Sequence, residues 1–344
     1  MKKLLVFFVT SFIGANILIA QVSTEEQTLL DNLKVAKNAK NLSELDYYKG
    51  YAKALLPLFA HYWSTGNYSQ GVEITQEVLR MFELLIGRYD ESYGDYQSYL
   101  GQMYLQMGKY DEAISTFLSM YDTYAHVEKF ENPKFYTTNI GIMAACFSFA
   151  GKYAEAEKYA LEAYELMKRF QVDDIYTAQP LGTLGTTYIS LGQYNKAEKY
   201  MLKALSVCSK NDSGYGQYLN NTGLLYYRMG RYDKALDYFI QAYEVKKRFL
   251  PEKHPDHGST LSNIGLTSHY AGQFAEAEKY LLQAIGLQKE LQVNNPRPYA
   301  NSLTNLGYIY SDMGDYDKAL HYTLMGSELL GSIVGKEHLD YATS

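Results

Sequence analysis

Along most of the chain, apolar side chains return every three or four positions, the period of a helix with one buried face. In "YDKALDYFIQAYEVKKRFL" (232–250), Tyr232, Ala235, Leu236, Phe239 and Tyr243 trace such a face, and "LTNLGYIYSDM" (303–313) carries another that includes Gly307. Between stretches of this kind one short turn recurs seven times. It reads "GNYSQG" from Gly66, "GKYDEA" from Gly108, "GKYAEA" from Gly151 and "GQYNKA" from Gly192, then "GRYDKA" from Gly230, "GQFAEA" from Gly272 and "GDYDKA" from Gly314. Successive glycines stand 42, 43, 41, 38, 42 and 42 residues apart. Glycine suits the place because a helix ends most easily on a left-handed residue without a Cβ. Pro133, Pro251, Pro255, Pro296 and Pro298 fall between one pair of helices and the next, Pro180 falls near a first-helix start, and Pro57 alone falls inside a predicted helix.

Neither helix of a pair can bury its apolar face unaided. Gly101, Gly185, Gly223, Gly265 and Gly307 in the first helices let the partner approach, as do Ala113, Ala156, Ala197, Ala235, Ala277 and Ala319 in the second. Each pair then needs its neighbours, and the product is an all-α solenoid of about seven helix pairs over 47–340. Residues 21–46 are expected to add an N-terminal helix over the edge of the stack, opened by a capping box of Ser23 and Glu26.

The small–turn–aromatic–small pattern resembles the tetratricopeptide repeat. The usual unit has ~34 residues, and the longer beat, with "EKHPDHGSTLSNIG" (252–265) bridging two units, is similar to the variant of kinesin light chains. The resemblance implies a right-handed α-solenoid. Around Gly66 the fit is poor, since Phe59 replaces the first-helix glycine and Gly71 or Val72 stands near the expected alanine. At the other end, Tyr341-Ala342-Thr343-Ser344 repeats Tyr299-Ala300-Asn301-Ser302 at 42 residues' distance. It reads as the start of an incomplete eighth unit, or as a frayed tail that echoes the repeat.

Composition narrows the function classes. With a net charge of −6 and no basic cluster, the chain is not built for nucleic acid or anionic membranes. Its 36 tyrosines, against 14 phenylalanines, suit half-buried seams between helices. The opening "MKKLLVFFVTSFIGANILIAQ" places two lysines before an apolar stretch ending at Ala20, the layout of a signal peptide over 1–20. Thr10, Ser11, Gly14 and Asn16 interrupt that stretch, which makes it a poor membrane anchor. Export to a periplasm or to the outside is the expectation, with no membrane insertion after cleavage. Cys146 and Cys208 read as packing residues rather than a bridge.

No catalytic constellation, cofactor motif or metal set emerges. His254 and His257 of "HPDH" are closely spaced, but the stretch reads as an inter-helix loop and zinc needs three or four converging ligands. What remains is a binding surface. First helices of such a stack line its concave side, and there Asn221, Asn263 and Asn305 occupy equivalent positions 42 residues apart. Gln217, Asn220, Tyr227 and Arg228 lie near the first of them, and His269, Asn301, Tyr308 and Asp312 near the others. An asparagine row, donor and acceptor together, can hold the backbone of an extended peptide, or it can serve only to satisfy neighbouring helices. In kinesin light chains, matching asparagines contribute to cargo-peptide binding, which the resemblance implies here. Repeats that clamp C-terminal carboxylates need lysines where this chain has Asn220, Ser262 and Thr304. The expected function is therefore an exported, non-enzymatic scaffold for a protein or extended peptide. The alternative is the docking arm of a longer protein with a caspase-like peptidase or signalling domain.

Overall fold

The computed structural model describes residues 22–38, 43–127, 130–172, 174–291 and 296–334. The signal peptide over 1–20 and the eighth-unit start at 341–344 lie outside the described residues. Fifteen α-helices and no strands are found among those described. α1 (Val22–Lys37) precedes two pairs, α2 (Glu44–Thr65) with α3 (Tyr68–Ile86) and α4 (Glu91–Gln106) with α5 (Tyr110–Ala125). Five pairs follow: α6 (Pro133–Phe149) with α7 (Tyr153–Arg169), α8 (Asp174–Ser190) with α9 (Tyr194–Val207), and α10 (Ser213–Arg228) with α11 (Tyr232–Phe249). The last two are α12 (Pro255–Tyr270) with α13 (Phe274–Leu291), and α14 (Arg297–Asp312) with α15 (Tyr316–Val334). The seven expected pairs and the extra N-terminal helix are all present. They form two compact units that divide between Asn132 and Pro133.

All seven turn glycines are left-handed, with φ from 69° to 80°. The amide after each glycine reaches back five residues. Arg231 N–H donates to the Tyr226 carbonyl at 2.9 Å and Asp315 N–H to that of Tyr310 at 2.9 Å, so the helix end is closed without side-chain help. In four pairs, the first-helix glycine leaves room for a large residue sixteen positions on, Phe117, Met201, Phe239 or Leu281, while Gly307 faces the smaller Thr323. A Cβ on Gly223 would stand 2.7 Å from the Phe239 ring, and one on Gly265 2.7 Å from Leu281. The pair α2–α3 reverses the sizes: Phe59 fills the glycine place, and Gly71 and buried Thr75 occupy the alanine and large places of α3. Gly71, not Val72, is thus the register equivalent of Ala235.

Adjacent pairs in the second unit are joined by a recurring contact. Tyr188, Tyr226 and Tyr310, four residues before their turn glycines, donate to Glu157, Glu198 and Glu278 of the preceding pair at 2.5, 2.7 and 2.5 Å. Each ring stacks on a tyrosine of its own pair, Tyr200, Tyr238 or Tyr322, with centroids 5.3–5.6 Å apart. Lys196, Lys234 and Lys318 lie near the same three rings.

Four expectations are corrected. Ser23 lies within α1, so its backbone is already helical and it cannot be the cap residue. The cap at this end of the chain is Ser43, which accepts from Asp46 N–H at 3.2 Å, and the first pair begins at Glu44 rather than 47. α1 ends at Lys37, short of 46, and Tyr62 of α2 donates to its Glu26 at 2.8 Å. Pro180 lies inside α8, two turns from its start, because that helix begins as early as Asp174. Cys146 and Cys208 are buried and free, and burial pushes their thiols up to about 12 and about 11.

Candidate functional site

Among the described residues of the second unit, first helices of successive pairs touch one another: α6 meets α8, α8 meets α10, α10 meets α12 and α12 meets α14. The second helices do not meet in this way. A layer whose members are closer together than those of its partner layer lies on the inside of the curve. The first helices therefore form the inner face of this unit.

Their starts are fixed locally. Asp212 caps α10 by accepting from Gly214 N–H at 2.7 Å, and His254 caps α12 by accepting from Asp256 N–H at 3.2 Å, with Pro255 as its first residue. The "HPDH" stretch is thus helix start rather than loop. His257 is buried in the first turn, with its Nε2 3.0 Å from the Pro251 carbonyl. Among the described residues no group of three or more His, Cys, Asp or Glu side chains is arranged to hold a metal ion.

Asn221, Asn263 and Asn305 stand nine residues before their turn glycines, each half-buried. Asn263 donates to Asn220 across the α10–α12 boundary at 3.2 Å, and Gln217 donates to Asn221 at 2.9 Å. The side chain of Asn305 makes no hydrogen bond to another described residue. His269 and Asp312 meet across α12 and α14 at 2.7 Å. Gln217, Arg228, Asn301, Tyr308 and Asp312 are exposed, while Asn220, Tyr227 and His269 are half-buried. The expected residues therefore lie together on α10, α12 and α14, but Asn220, Asn263, His269 and Asp312 are already engaged between helices. Of the places a carboxylate clamp would use, Ser262 bonds Ser302 at 2.7 Å and Thr304 donates to the Ala300 carbonyl at 3.2 Å, so these two serve packing.

Two features escaped the sequence reading. Tyr227, Tyr232 and Tyr270 pack into one three-ring cluster with centroids 5.6–6.0 Å apart. Burial, with Tyr270 beside it, pushes the Tyr227 hydroxyl up to about 12. Lys246, only 5% exposed, donates to Thr260 at 3.1 Å and pairs with Asp256 at 3.2 Å. A lysine seven residues after Phe239, on the buried stripe of α11, was the available signal. The hollow lined by Gly230, Arg231, Tyr232, Asp233, Lys234 and Ala271 opens at a turn and not among the asparagines.

Tetratricopeptide-repeat models match residues 99–129, 136–210, 215–290 and 300–322, together more than half of the chain. No curated protein matches the sequence. Among solved structures, the chain is similar to the apo form of RapI, at 13% identity and a TM-score of 0.63, covering 82% of this chain and 98% of that one. It is also similar to BtubC (BKLC) from P. vanneervenii, at 18% identity and a TM-score of 0.54 over 70% and 92% of the two chains. A putative kinesin light chain of Podosopora anserina with nearly identical repeats follows at 14% identity and a TM-score of 0.50, over 60% and 99%. The chain belongs to the tetratricopeptide-repeat family.

Proposed function

We propose that this protein is an exported scaffold that binds an extended peptide or a protein along the inner face of α10, α12 and α14. The observation that carries this reading is the set of three half-exposed asparagines at one register on helices that touch. A peptide backbone passing over them would meet an amide at each repeat, with Tyr308, Arg228 and Asp312 at its sides. Asn305 is the one of the three with both hydrogen-bonding ends unused among the described residues. Partial engagement of the others does not disqualify them, because a bridging amide keeps a second donor and a second lone pair.

Selection from a random peptide library, followed by affinity measurement, tests the reading. The joint change of Asn221, Asn263 and Asn305 to alanine should weaken selected peptides by on the order of 100-fold, at about 1 kcal/mol for each lost hydrogen bond. Unchanged affinity would reject the assignment. Export has its own test: residues 1–24 fused to a reporter active only outside the cytoplasm should yield a processed product beginning near Gln21. A full-length product retained inside the cell would refute it.

A further inference from the structure

Charge is shared unequally between the two helices of a pair in the second unit. α6, α8, α10, α12 and α14 together hold six Asp, Glu, Lys or Arg residues, whereas α7 and α11 hold seven apiece. The six are Lys134, Asp174, Arg228, Asp256, Arg297 and Asp312, and each is the first, second or last residue of its helix. Three of them are engaged there. The Lys134 amine lies 3.5 Å from the centre of the Tyr176 ring, Asp256 pairs with Lys246, and Asp312 meets His269. Between these rims the inner helices carry no carboxylate, amine or guanidinium.

Burial alone does not account for this. On α11 the exposed places go mostly to Asp233, Lys234, Asp237, Glu244, Lys247 and Arg248. On the inner face, Gln217, Ser259 and Asn301 are also exposed, thirteen residues before their turn glycines, and all three are uncharged. Four residues on stands the row of Asn221, Asn263 and Asn305. Three further on stand Leu224 and Leu266, half-buried, and exposed Tyr308. A row of amides and a row of apolar surface therefore run side by side across α10, α12 and α14.

We propose that this face selects an uncharged ligand, an extended peptide whose contacting residues are neutral. Its backbone would lie on the asparagine row and its apolar side chains on Leu224, Leu266 and Tyr308. The inference rests on the peptide-binding reading above and specifies the ligand of that site. A carboxylate or an ammonium pressed onto these rows would lose water and gain no countercharge, so either sign is penalised. Association without facing charges has no long-range steering, and salt leaves it unchanged.

A library-selected peptide, resynthesised with Ser, Lys or Glu at each central position in turn and titrated into the full chain, tests this. Lys and Glu should each weaken binding about tenfold more than Ser does. The parent peptide's affinity should change by less than about twofold between about 0.05 and about 0.5 M sodium chloride. Tyr308→Lys, at an exposed site, should give the face a sign, so that Glu becomes preferred over Lys and binding turns salt-dependent. Tolerance of Lys or Glu at every central position, a salt-dependent parent, or Y308K without preference for Glu would overturn the proposal. If the triple asparagine variant loses the peptide while charge is tolerated, only the neutrality fails. If that variant still binds it, the peptide-binding reading fails, and this inference with it.

Discussion

The seam between α13 and α14 and the seam between α11 and α12 join equivalent helices by different chemistry. In the first, Tyr310 donates to Glu278 near the turn, its ring stacked on Tyr322 and flanked by Lys318. In the second, the same two places hold Leu236 and Ser268, and the polar link moves to the far end of the helices, where Lys246 bridges Asp256 and Thr260. The repeat fixes helix spacing through small residues and turn glycines. The polar contact between pairs can then sit at either end, provided that a buried donor has its acceptor.

The comparison is broken most forcefully at the buried lysine. Asp256→Ala should destabilise the second unit by about 2–4 kcal/mol, somewhat below the usual cost of orphaning a buried charge because the carboxylate is partly exposed. Lys246→Met, similar in volume and without charge, should be tolerated within about 1 kcal/mol. Chemical denaturation of both variants checks the pair; a negligible loss in Asp256→Ala would mean that the lysine matters only through its packing. Ala235→Phe, at a site with no exposed surface, should cost about 1–3 kcal/mol by overpacking. An unchanged melting curve would contradict the helix-pair geometry.

Exchanging the seams sharpens the point. Leu236→Glu and Ser268→Tyr should each destabilise the α11–α12 seam, and the double variant should recover about 1 kcal/mol as the new tyrosine meets the new carboxylate. Additive losses in the double-mutant cycle would show that the tyrosine–glutamate contact needs more than its two residues. Tyr310→Phe, the smallest of these changes, should cost about 1 kcal/mol.

pH separates the two units. Burial pushes the hydroxyls of Tyr136 and Tyr227 in the second unit, and of Tyr62 in the first, up to about 12. Unfolded tyrosine ionises near ~10. Their contribution is thus full below pH 10 and is lost as pH rises toward 12. In the first unit, burial raises the Asp95 carboxyl to about 7, against the hydrogen bond from Tyr124 and with Glu91, Asp90 and Glu131 adding repulsion. A folded value above the unfolded ~3.9 makes this group favour folding most at low pH, with the benefit lost as pH rises through 7. Asp95→Asn should flatten the pH dependence of the first unit's stability between pH 4 and 7. A profile identical to wild type would remove Asp95 as its source.

What could be read in the sequence was whatever the backbone itself demands. The turn glycines and the Gly223–Phe239 type of pairing follow from sterics within a single helix pair, so spacing alone exposes them. Phe59 looked like a departure because its compensation, Gly71 and Thr75, lies on the other helix. Pro180 misled because a residue's place in a helix depends on where tertiary packing lets the helix begin. The contacts Asn263–Asn220 and His269–Asp312 join residues 43 apart, and their existence depends on the rotation between pairs, which no single stretch encodes. The asparagine row was therefore visible as a pattern while its internal bonds were not. Lys246 stood in plain view on an apolar stripe, and only its partners on the next helix explain it.

Photo-crosslinking tests the inner-face assignment most directly. A benzophenone amino acid placed at Tyr308 on α14, and in a separate variant at Leu282 on α13, samples the inner and outer helices of the same unit. A library-selected peptide should be captured by the Tyr308 variant and not by the Leu282 variant. Capture at Leu282 alone, or at both positions equally, would contradict binding along the first helices.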